Sequence, residues 1–563
     1  MSSFTATRIV SALLWLSIKF YLSSPTLISL NPLQSALLGG RMKNKRSDVI
    51  IIGAGIAGLV TALELVKQGK QVLLLDAQDR EKSGGLANIA FGGMALIDTP
   101  EQRAKKIHDS QEIAYQDWCR YAQFEEHDFW PKEWAKYYVE NSITDVYEYV
   151  KGFGVNYLPA VSWAERGDKD IGNSVPRYHI LWGCSQYLVT KIMQQLVSYE
   201  GSQLEFQFNT QINSLIYQDN RVVGCRSEQQ EYLADAVVVA TGGYGGDLNK
   251  VREYWPKHWK PLSQDILNGN DLSNDGLIHD QVQLIGGHLT HLDKMWNYAA
   301  GVENPKHEFD SQGLSLIPCR SALWVDHKGT RIGPEPLVGS FDTRDLCKQT
   351  NEREIPYSWQ IMNRKIALKE LAISGAEHNR SIRERSKFGL LKELLFGNKW
   401  LVDKMLSESD EFLCSETLDG LTEAMANQSK DSALDKKALL DSLNEYDLRL
   451  KSADSSDQQV KKILKVRQYL PDKLRTAKPA SIIDKPPYIA IKLRLITRKS
   501  MGGIKTNLNC QVLTESDQTI DGLYAVGEAA GFGGGGASGI RSLEGTFLSG
   551  CIMTSRQLAR SLV

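Results

Sequence analysis

Three glycines near the start of the sequence have the spacing that binds a dinucleotide. Gly53, Gly55 and Gly58 follow the apolar run Val49–Ile52, and a stretch with helical apolar spacing, 59–68, comes next. In this arrangement the first glycine permits a tight turn, the second lets the backbone approach a pyrophosphate, and the third lets the helix pack on the strand. Free amides at the start of the helix can then hold phosphate.

An acidic side chain ends the next strand that the pattern predicts. The predicted strand spans residues 71–75, of which 72–75 are apolar, and Asp76 and Ala77 follow it. A carboxylate at this point can accept hydrogen bonds from ribose hydroxyls, and its charge disfavours a 2′-phosphate and therefore NADP. With Ala57 inside the glycine motif, these residues complete the predicted dinucleotide site.

Glycine-rich segments farther along the chain indicate which dinucleotide is bound. They lie at 83–93, at 237–243, and at 500–503 with 522–528. They resemble the second glycine loop, the strand-ending Ala-Thr-Gly-Gly turn and the C-terminal flavin segment of the flavoprotein family that contains fumarate reductase, succinate dehydrogenase flavoprotein, L-aspartate oxidase and 3-ketosteroid Δ1-dehydrogenase. The resemblance spans about residues 47–560 and is closest to an FAD-binding dehydrogenase branch near the ketosteroid dehydrogenases. It implies FAD and redox chemistry.

The resemblance also implies which residues contact FAD. In that family the acid at Glu528 hydrogen-bonds the ribityl chain, and a helix starting near Ser542 directs its N-terminus at the flavin pyrimidine. No histidine occurs between Asp76 and His108, so the covalent attachment of the succinate dehydrogenase branch is not expected and the FAD should be noncovalent. The predicted contacts beyond the first motif are Gly84, Gly85, Leu86, Ala87, Gly92, Gly93, Ala240, Thr241, Gly242, Gly503, Gly527, Glu528, Ser542 and Leu543.

Three candidate catalytic residues come from the resemblance. Tyr488 lies where ketosteroid dehydrogenases place a tyrosine near the flavin, although their essential tyrosine aligns with Ile489, so a packing role is an equal alternative. Arg541 lies where fumarate reductases clamp a substrate carboxylate, a role that suits the planar guanidinium. Arg344 stands in a Thr-Arg-Asp like the one that carries their proton-donating arginine, with a surface position as the alternative.

Two further candidates combine charge with position. Arg498 and Lys499 precede Ser500, where fumarate reductases carry two histidines, so the pair could hold an anion or stabilise reduced flavin. Alternatively, one of them points inward and the other is solvated. His179 follows Tyr178 and ionises near neutrality when unperturbed, so it could shuttle a proton, with a structural histidine as the alternative.

Composition excludes several classes of protein. The formal net charge is −1 and no basic block occurs, which argues against a nucleic-acid surface. None of the eight cysteines is paired at Cys-x-x-Cys spacing, which excludes a local zinc, iron–sulfur or c-type haem motif. We therefore expect no metal and predict reduced thiols in a cytoplasmic protein.

The predicted fold is α/β, with a glutathione-reductase-like Rossmann FAD domain that is discontinuous in sequence. The domain comprises 47–290 and 481–563, and an inserted α+β capping domain, 291–480, covers the flavin. At 563 residues the chain is long enough for this arrangement. Residues 1–46 form an N-terminal extension. Three interpretations of residues 1–41 stay open: translation in fact begins at Met42, or the segment is a signal or membrane anchor, or it is a disordered tail. Membrane association is expected only if residues 1–41 are part of the protein.

These observations predict an FAD-dependent oxidoreductase that dehydrogenates, or in reverse reduces, a carbon–carbon bond beside a carbonyl or carboxylate. Because only one dinucleotide motif is apparent, electrons should pass to an external carrier or to oxygen. The alternatives are a fumarate-reductase-like enoate reductase and a flavin electron-transfer protein without a small-molecule substrate. A plain NAD dehydrogenase does not account for the later glycine segments.

Overall fold

Strands organise the part of the chain that this computed structural model describes, residues 46–166, 171–333, 343–429 and 433–562. Within these residues they form two eight-stranded sheets and two pairs of short strands. The strands are β1 Ser47–Ile52, β2 Val72–Leu75, β3 Gly93–Ala95, β4 Tyr178–Ile180, β5 Leu204–Gln207, β6 Ile212–Gln218, β7 Arg221–Ser227, β8 Glu231–Val239, β9 Leu267–Asn268, β10 Leu289–Thr290, β11 Met295–Glu303, β12 Gly313–Ile317, β13 Leu323–Val325, β14 Tyr357–Asn363, β15 Ala372–Ile373, β16 Phe412–Ser415, β17 Tyr488–Ser500, β18 Gly503–Ile504, β19 Gln511–Leu513 and β20 Thr519–Ala525.

Helices connect and cover the strands. The first group precedes β9 and consists of Ile56–Lys67, Leu86–Ile89, Pro100–Ala104, Gln111–Ala122, Phe129–Asn141, Glu148–Gly152, Cys184–Val197 and Leu248–Glu253, with a π-helical segment at Ser142–Tyr147. The second group consists of Leu277–Leu284, Thr343–Asn351, Arg364–Glu370, Arg380–Arg383, Lys387–Phe396, Lys399–Glu408, Leu418–Ser429, Lys436–Ser452, Gln458–Val466, Leu470–Leu474 and Thr546–Ser561. None of the helices described is long and apolar enough to cross a membrane.

The first sheet carries the dinucleotide motif. Its order is β19-β20-β7-β8-β1-β2-β5, with β6 paired to β7. β1 runs parallel to β2 and β8, and β20 runs parallel to β8. The Val49–Ile52 residues are buried, as β-branched residues are in a strand covered on both faces. The carboxyl ends of these strands meet at one edge, which is where parallel sheets bind ligands.

The two ends of the described chain pack together beside this sheet. The helix Ile56–Lys67 follows β1, and the Ser555 hydroxyl of the last helix donates to the Ala57 carbonyl at 2.8 Å. Gly58 is required where this helix packs on β1 and the turn after it, because a Cβ atom there would lie 1.9 Å from the Gly53 carbonyl oxygen. The predicted α/β architecture with a parallel sheet is confirmed.

The second sheet has the long strand β17 at its centre. Its order is β13-β14-β17-β11-β12-β15, and β16 and β9 also pair with β17. The core on this sheet includes the buried Trp324 and Trp359. β17 ends at Ser500, whose amide donates to Glu528 Oε1 at 3.0 Å, so the strand connects this sheet to the carboxyl edge of the first.

The domain boundaries proposed from the sequence stay a prediction. They assign 481–563 to the nucleotide-binding domain, whereas β17 is hydrogen-bonded into the second sheet. The predictions made for residues 1–45 lie outside the described residues.

Candidate active site

One cavity lies between the carboxyl edge of the first sheet and the inner side of the second. Its volume is about 910 Å³, within the range of roughly 300–1,000 Å³ that is usual for small-molecule sites. Gly53 and Gly55 line it from the first sheet, and Leu314 and Ile373 line it from β12 and β15. A ligand in this cavity would therefore contact both sheets.

Glycine geometry shapes the nucleotide end of this cavity. Gly53 has φ +108°, and a Cβ atom there would lie 2.4 Å from the Ala240 carbonyl oxygen. The helix Ile56–Lys67 begins directly after Gly55 with no side-chain cap, so its first amides are available to a phosphate. Both features fit the pyrophosphate of a dinucleotide.

Asp76 is held in place beside the same turn. Its carboxylate accepts hydrogen bonds from the amides of Ala54 and Gln78, the latter at 2.7 Å. Burial raises the pKa of this carboxyl, and the two amides act in the opposite direction. The side chain lines the cavity, in the position expected for an acceptor of ribose hydroxyls.

Most of the residues predicted to contact FAD line this cavity. They are Gly53, Gly55, Ala57, Asp76, Ala77, Gly84, Gly85, Leu86, Ala87, Gly92, Gly93, Ala240, Thr241, Gly242 and Glu528. The structure thus brings together residues from the two ends of the sequence. The individual contacts with FAD stay predictions.

The other predicted cofactor residues lie behind the cavity wall. They are Gly58, Gly503, Gly527, Ser542 and Leu543, none of which is among the lining residues. A Cβ atom on Gly503 would lie 2.4 Å from the Ala529 carbonyl oxygen, and one on Gly527 would lie 2.8 Å from the Ala57 Cβ, so these glycines allow close packing. Ser542 is buried and shares a hydrogen bond of 2.8 Å with the Thr546 hydroxyl.

The C-terminal helix begins later than the sequence predicted. It starts at Thr546 rather than near Ser542, because Gly545 has φ +97° and takes the capping position. A Cβ atom on Gly545 would lie 2.5 Å from the Ala95 amide nitrogen. Gly545 and Glu544 line the cavity, so the start of this helix faces it.

A cluster of ionisable side chains lies where the cavity meets the end of β17. Its members are Arg498, Lys499, Glu544 and Tyr298. Burial, together with the neighbouring charge of Arg498, lowers the pKa of Lys499 to about 8. Burial raises the pKa of Glu544, which the charge of Lys499 partly offsets. The Tyr298 hydroxyl donates to Glu544 Oε2 at 3.4 Å, and burial raises its pKa.

The two cations on β17 have different surroundings. The Arg498 guanidinium donates to the Gly269 carbonyl at 3.1 Å and to the Ser374 hydroxyl at 3.4 Å, while its buried Nε has no hydrogen-bond partner in the described residues. Lys499 Nζ lies 4.8 Å from the centre of the Phe547 ring. Both residues line the cavity, which agrees with the alternative in which the two cations act as a pair.

His179 lies away from the cavity in a closed hydrogen-bonded site. Its Nδ1 lies 2.7 Å from the Arg177 carbonyl oxygen, so Nδ1 carries the proton and Nε2 accepts from the Thr99 hydroxyl at 2.7 Å. Burial lowers the pKa of His179 to about 4. This environment matches the structural alternative for His179.

Tyr488 also lies apart from the ionisable cluster. It is the first residue of β17, whereas Arg498 and Lys499 are near the last, a separation of roughly 30 Å along the strand. Its buried hydroxyl donates to the Ile483 carbonyl, and it packs in the core of the second sheet.

Arg541 and Arg344 come together at a second, smaller cavity. Trp259 and Trp296 also line it. The Arg541 guanidinium donates to Gln123 Oε1 at 3.1 Å, and the Arg344 guanidinium lies 4.7 Å from the Trp259 ring centre. Neither arginine is among the lining residues of the main cavity.

Sequence reasoning missed several ionisable residues of the main cavity. Tyr298, Glu544, Glu165 and Arg475 line it. Glu165 and Glu544 stand in short segments, 163–167 and 543–547, that resemble the dehydrogenase branch, and this signal could have drawn attention to them. Tyr298 is one of two aromatic residues in a mostly apolar strand, and no local pattern marks it.

Comparison with known proteins agrees with the geometry of the nucleotide end. The FAD binding domain family matches residues 48–548. The chain is 35% identical over 555 residues to a KsdD-like steroid dehydrogenase of Mycobacterium tuberculosis (strain CDC 1551 / Oshkosh), covering 94% of this chain and 98% of the relative. A KsdD-like steroid dehydrogenase of Mycolicibacterium smegmatis is also 35% identical, over 528 residues that cover 89% and 96% of the two chains.

Solved structures share the fold at low sequence identity. The open conformation of a flavocytochrome c3 fumarate reductase matches with a TM-score of 0.64 at 19% identity, covering 96% of this chain and 82% of the other. The 3-ketosteroid Δ1-dehydrogenase of Sterolibacterium denitrificans matches with a TM-score of 0.67 at 16% identity, covering 92% and 99%. The predicted flavoprotein fold and the predicted cofactor are thereby confirmed. The chain belongs to the FAD binding domain family, as an FAD-dependent oxidoreductase.

Proposed function

We propose that this enzyme dehydrogenates a carbon–carbon bond beside the carbonyl of an apolar, steroid-like ketone, or reduces the corresponding enone. One observation carries the proposal: the dinucleotide loops and the cluster of Tyr298, Glu544, Lys499 and Arg498 line the same cavity. The names of its relatives, KsdD-like steroid dehydrogenases at 35% identity, support the substrate class.

The architecture supports a split FAD domain with a cap. The first sheet draws its strands from 47–239 and 511–525, and the second sheet draws its strands from 267–500. The inserted second sheet would close over the flavin, so the substrate would bind at the interface, where small-molecule sites are common. Apolar side chains such as Leu314, Leu346 and Leu371 line that side of the cavity and suit an apolar substrate.

The residues at the nucleotide end fit FAD. Gly53 and Gly55 would accommodate the pyrophosphate, Asp76 the ribose, and Glu528 the ribityl chain. Glu528 is fixed by the Ser500 amide and hydroxyl at 3.0 and 3.2 Å. When bound, FAD supplies the hydride acceptor or donor, and the protein supplies position, proton transfer and electrostatics.

Tyr298 and Glu544 would handle the proton. Burial raises the pKa of both groups, which makes the Glu544 carboxylate a stronger base and disfavours a free tyrosinate. In our proposal the Tyr298 hydroxyl takes the proton from the carbon beside the carbonyl while it passes its own proton to Glu544. General acid–base catalysis of this kind typically contributes about 10²–10⁴-fold in rate.

Arg498 and Lys499 would stabilise the negative charge that develops on the carbonyl oxygen. The Arg498 Nε lacks a hydrogen-bond partner among the described residues, and the Lys499 ammonium has no ion pair there. Cationic donors fixed in a low-dielectric site stabilise a developing oxyanion strongly. An external carrier or oxygen would then reoxidise the flavin.

Anaerobic titration of the purified flavoprotein tests this function. Bleaching of the flavin absorbance by saturated 3-ketosteroids, but not by saturated carboxylic acids, is the expected result. A flavin that no ketone bleaches, and that after dithionite reduction no enone reoxidises, would refute the proposal.

A second candidate is a reductase of small unsaturated carboxylates. The adjacent cations Arg498 and Lys499 in the cavity favour it, because they could hold a substrate carboxylate. Dithionite-reduced enzyme that is reoxidised by enoates but not by enones would support this candidate. If neither class exchanges electrons with the flavin, an electron-transfer protein without its own substrate is the better description.

A further inference from the structure

The helix Lys387–Phe396 exposes an unusually apolar surface. Phe388, Leu391, Leu395 and Phe396 are exposed to 79%, 54%, 61% and 74%, and no residue of the helix is buried. Positions 388, 391 and 395 lie on one helix face because their spacing is three and four residues. An apolar patch of this kind on a folded protein marks an interaction surface. We call these four residues the apolar face.

The other side of the same helix forms part of the cavity wall. Leu390, Glu393 and Leu394 line the main cavity, and so do Ile382 and Arg383 just before the helix. Ile89, which is 63% exposed, also lines the cavity, and its carbonyl accepts a hydrogen bond from the Ala376 amide at 2.8 Å. The helix therefore separates the cavity from solvent at a place where the wall has outward-facing apolar groups.

Basic residues accompany the apolar face on the same helix and in the flanking sequence. Residues 380–400 contain six basic side chains and two acidic ones, Glu384 and Glu393. Arg380 and Arg383 pair with Glu384, and Lys399 pairs with Asp403. Lys387 and Lys392 lie on the helix itself and form no ion pair with a described residue. Glu393 accepts a hydrogen bond from the Ser381 hydroxyl and lines the cavity, as Arg383 does, so the positive charge on the outer side of the helix comes from Lys387 and Lys392.

This charge pattern decides among possible partners. A symmetric contact between two copies would bring two such basic surfaces together, which like-charge repulsion opposes. The N-terminal segment 1–45 contains five basic residues and no acidic residue, so it is repelled as well. An anionic lipid surface attracts the lysines and accepts apolar side chains below its headgroups.

We propose that the helix Lys387–Phe396 docks on the surface of an anionic membrane. The helix would lie in the headgroup region with Phe388, Leu391, Leu395 and Phe396 inserted and with Lys387 and Lys392 at the phosphates. Because its other side lines the cavity, docking would place the cavity wall against lipid. An apolar ketone could then pass from the bilayer to the cavity, a consequence that rests on the proposed function.

The docking itself is measured without turnover. The full-length flavoprotein is mixed with vesicles of phosphatidylcholine alone or with added phosphatidylglycerol, and hydrogen–deuterium exchange is followed for peptides covering 385–400. We expect flotation with the anionic vesicles and slower exchange in these peptides. Flotation with unchanged exchange at 385–400 would assign the binding to another part of the chain and overturn the proposal, and so would the absence of flotation.

Matched variants identify the groups responsible. Phe388→Gln, Leu395→Gln and Phe396→Gln are combined, and the control combines Leu284→Gln with Leu448→Gln, which are exposed elsewhere to 77% and 68%. The first variant should bind vesicles at least about tenfold more weakly and the control should not change. The pair Lys387→Gln and Lys392→Gln should lose binding by about tenfold, more at low salt than at high salt, with Lys105→Gln and Lys461→Gln as control.

Two further outcomes separate the rival explanations. If the protein is a dimer without lipid and the apolar-face variant makes it a monomer, a second copy covers this helix and the membrane proposal is wrong. If vesicles slow exchange at 385–400 but no ketone bleaches the flavin, docking stands and the proposed function fails. Faster bleaching by a ketosteroid delivered in anionic vesicles, lost in the apolar-face variant, would support delivery from the bilayer.

Discussion

At the scale of single residues, the environment of Lys499 is the most informative. Burial lowers its pKa to about 8, within the range where enzymes are assayed. The ammonium form is therefore present below pH 8 and is lost as the pH rises through this value. An ammonium held beside a carbonyl oxygen would stabilise the enolate only in the protonated form.

This environment predicts a pH dependence of the reaction. We expect kcat/KM for a ketone to fall as the pH rises through about 8, because Lys499 loses its charge. Lys499→Arg should keep its activity to higher pH, since a guanidinium remains protonated, whereas Lys499→Met should be slow at every pH. Profiles of the three proteins check this, and an unchanged profile in the methionine variant would exclude Lys499 from the chemistry.

Tyr298 and Tyr488 provide a matched pair of tyrosines. Tyr298 lines the cavity beside Glu544, and Tyr488 donates to the Ile483 carbonyl in the core of the second sheet. Tyr298→Phe should lower kcat by about 10²–10³-fold with the flavin spectrum retained. Tyr488→Phe should leave kcat unchanged and reduce stability by about 1 kcal/mol. The opposite ranking of kcat values would return the catalytic role to Tyr488.

At the scale of elements, the turn from β1 into the helix Ile56–Lys67 tolerates the fewest residue types. Gly53 combines a positive φ with a close approach to the carbonyl of Ala240, the residue directly after β8. The turn therefore depends on a contact between two strands that are far apart in sequence. The motif can be recognised in the sequence because the backbone geometry at Gly53 excludes residues with a side chain.

A substitution at this turn should affect cofactor binding in particular. Gly53→Ala should reduce the bound FAD to below about a tenth, because the new Cβ would meet the Ala240 oxygen at 2.4 Å. Gly201→Ala is the control, since Gly201 also has a positive φ, +80°, but a Cβ there meets no atom within 4 Å. Flavin content after purification gives the comparison. Equal flavin loss in both variants would indicate general backbone strain.

At the scale of the whole molecule, one cavity joins the two sheets. β17 begins in the core of the second sheet and ends at Ser500, which holds Glu528 at the edge of the first. A cofactor in the cavity would contact elements from both ends of the chain. Binding should therefore stabilise the fold as a unit.

This arrangement predicts that FAD stabilises the protein by mass action. Ligand that binds only the folded state at about 100 times its Kd adds about 2.7 kcal/mol. We expect the melting temperature of flavin-depleted protein to rise with added FAD through a single transition, which calorimetry can follow. Gly53→Ala should show little of this rise. A second transition that FAD does not move would mean that the sheets unfold independently.

The sequence by itself predicted the dinucleotide motif and the parallel sheet, and its resemblance to a flavoprotein family predicted FAD. The motif depends on glycines and on one acid whose backbone geometry and local spacing leave few alternatives, so Gly53, Gly55 and Asp76 could be named from the sequence. Sequence reasoning placed Tyr488, His179, Arg344 and Arg541 in the catalytic set on resemblance or local composition, and the structure sets all four apart from the main cavity.

Only the tertiary structure decided which ionisable side chains meet in the main cavity at the end of β17. Tyr298, Lys499 and Glu544 come from β11, β17 and the residue before a helix-capping glycine, and no local pattern links them. Their proximity follows from the pairing of β11 with β17 and from the packing of the last helix against the helix Ile56–Lys67. Long-range pairing of this kind is a property of the whole chain, because burial and hydrogen bonding between distant segments select it.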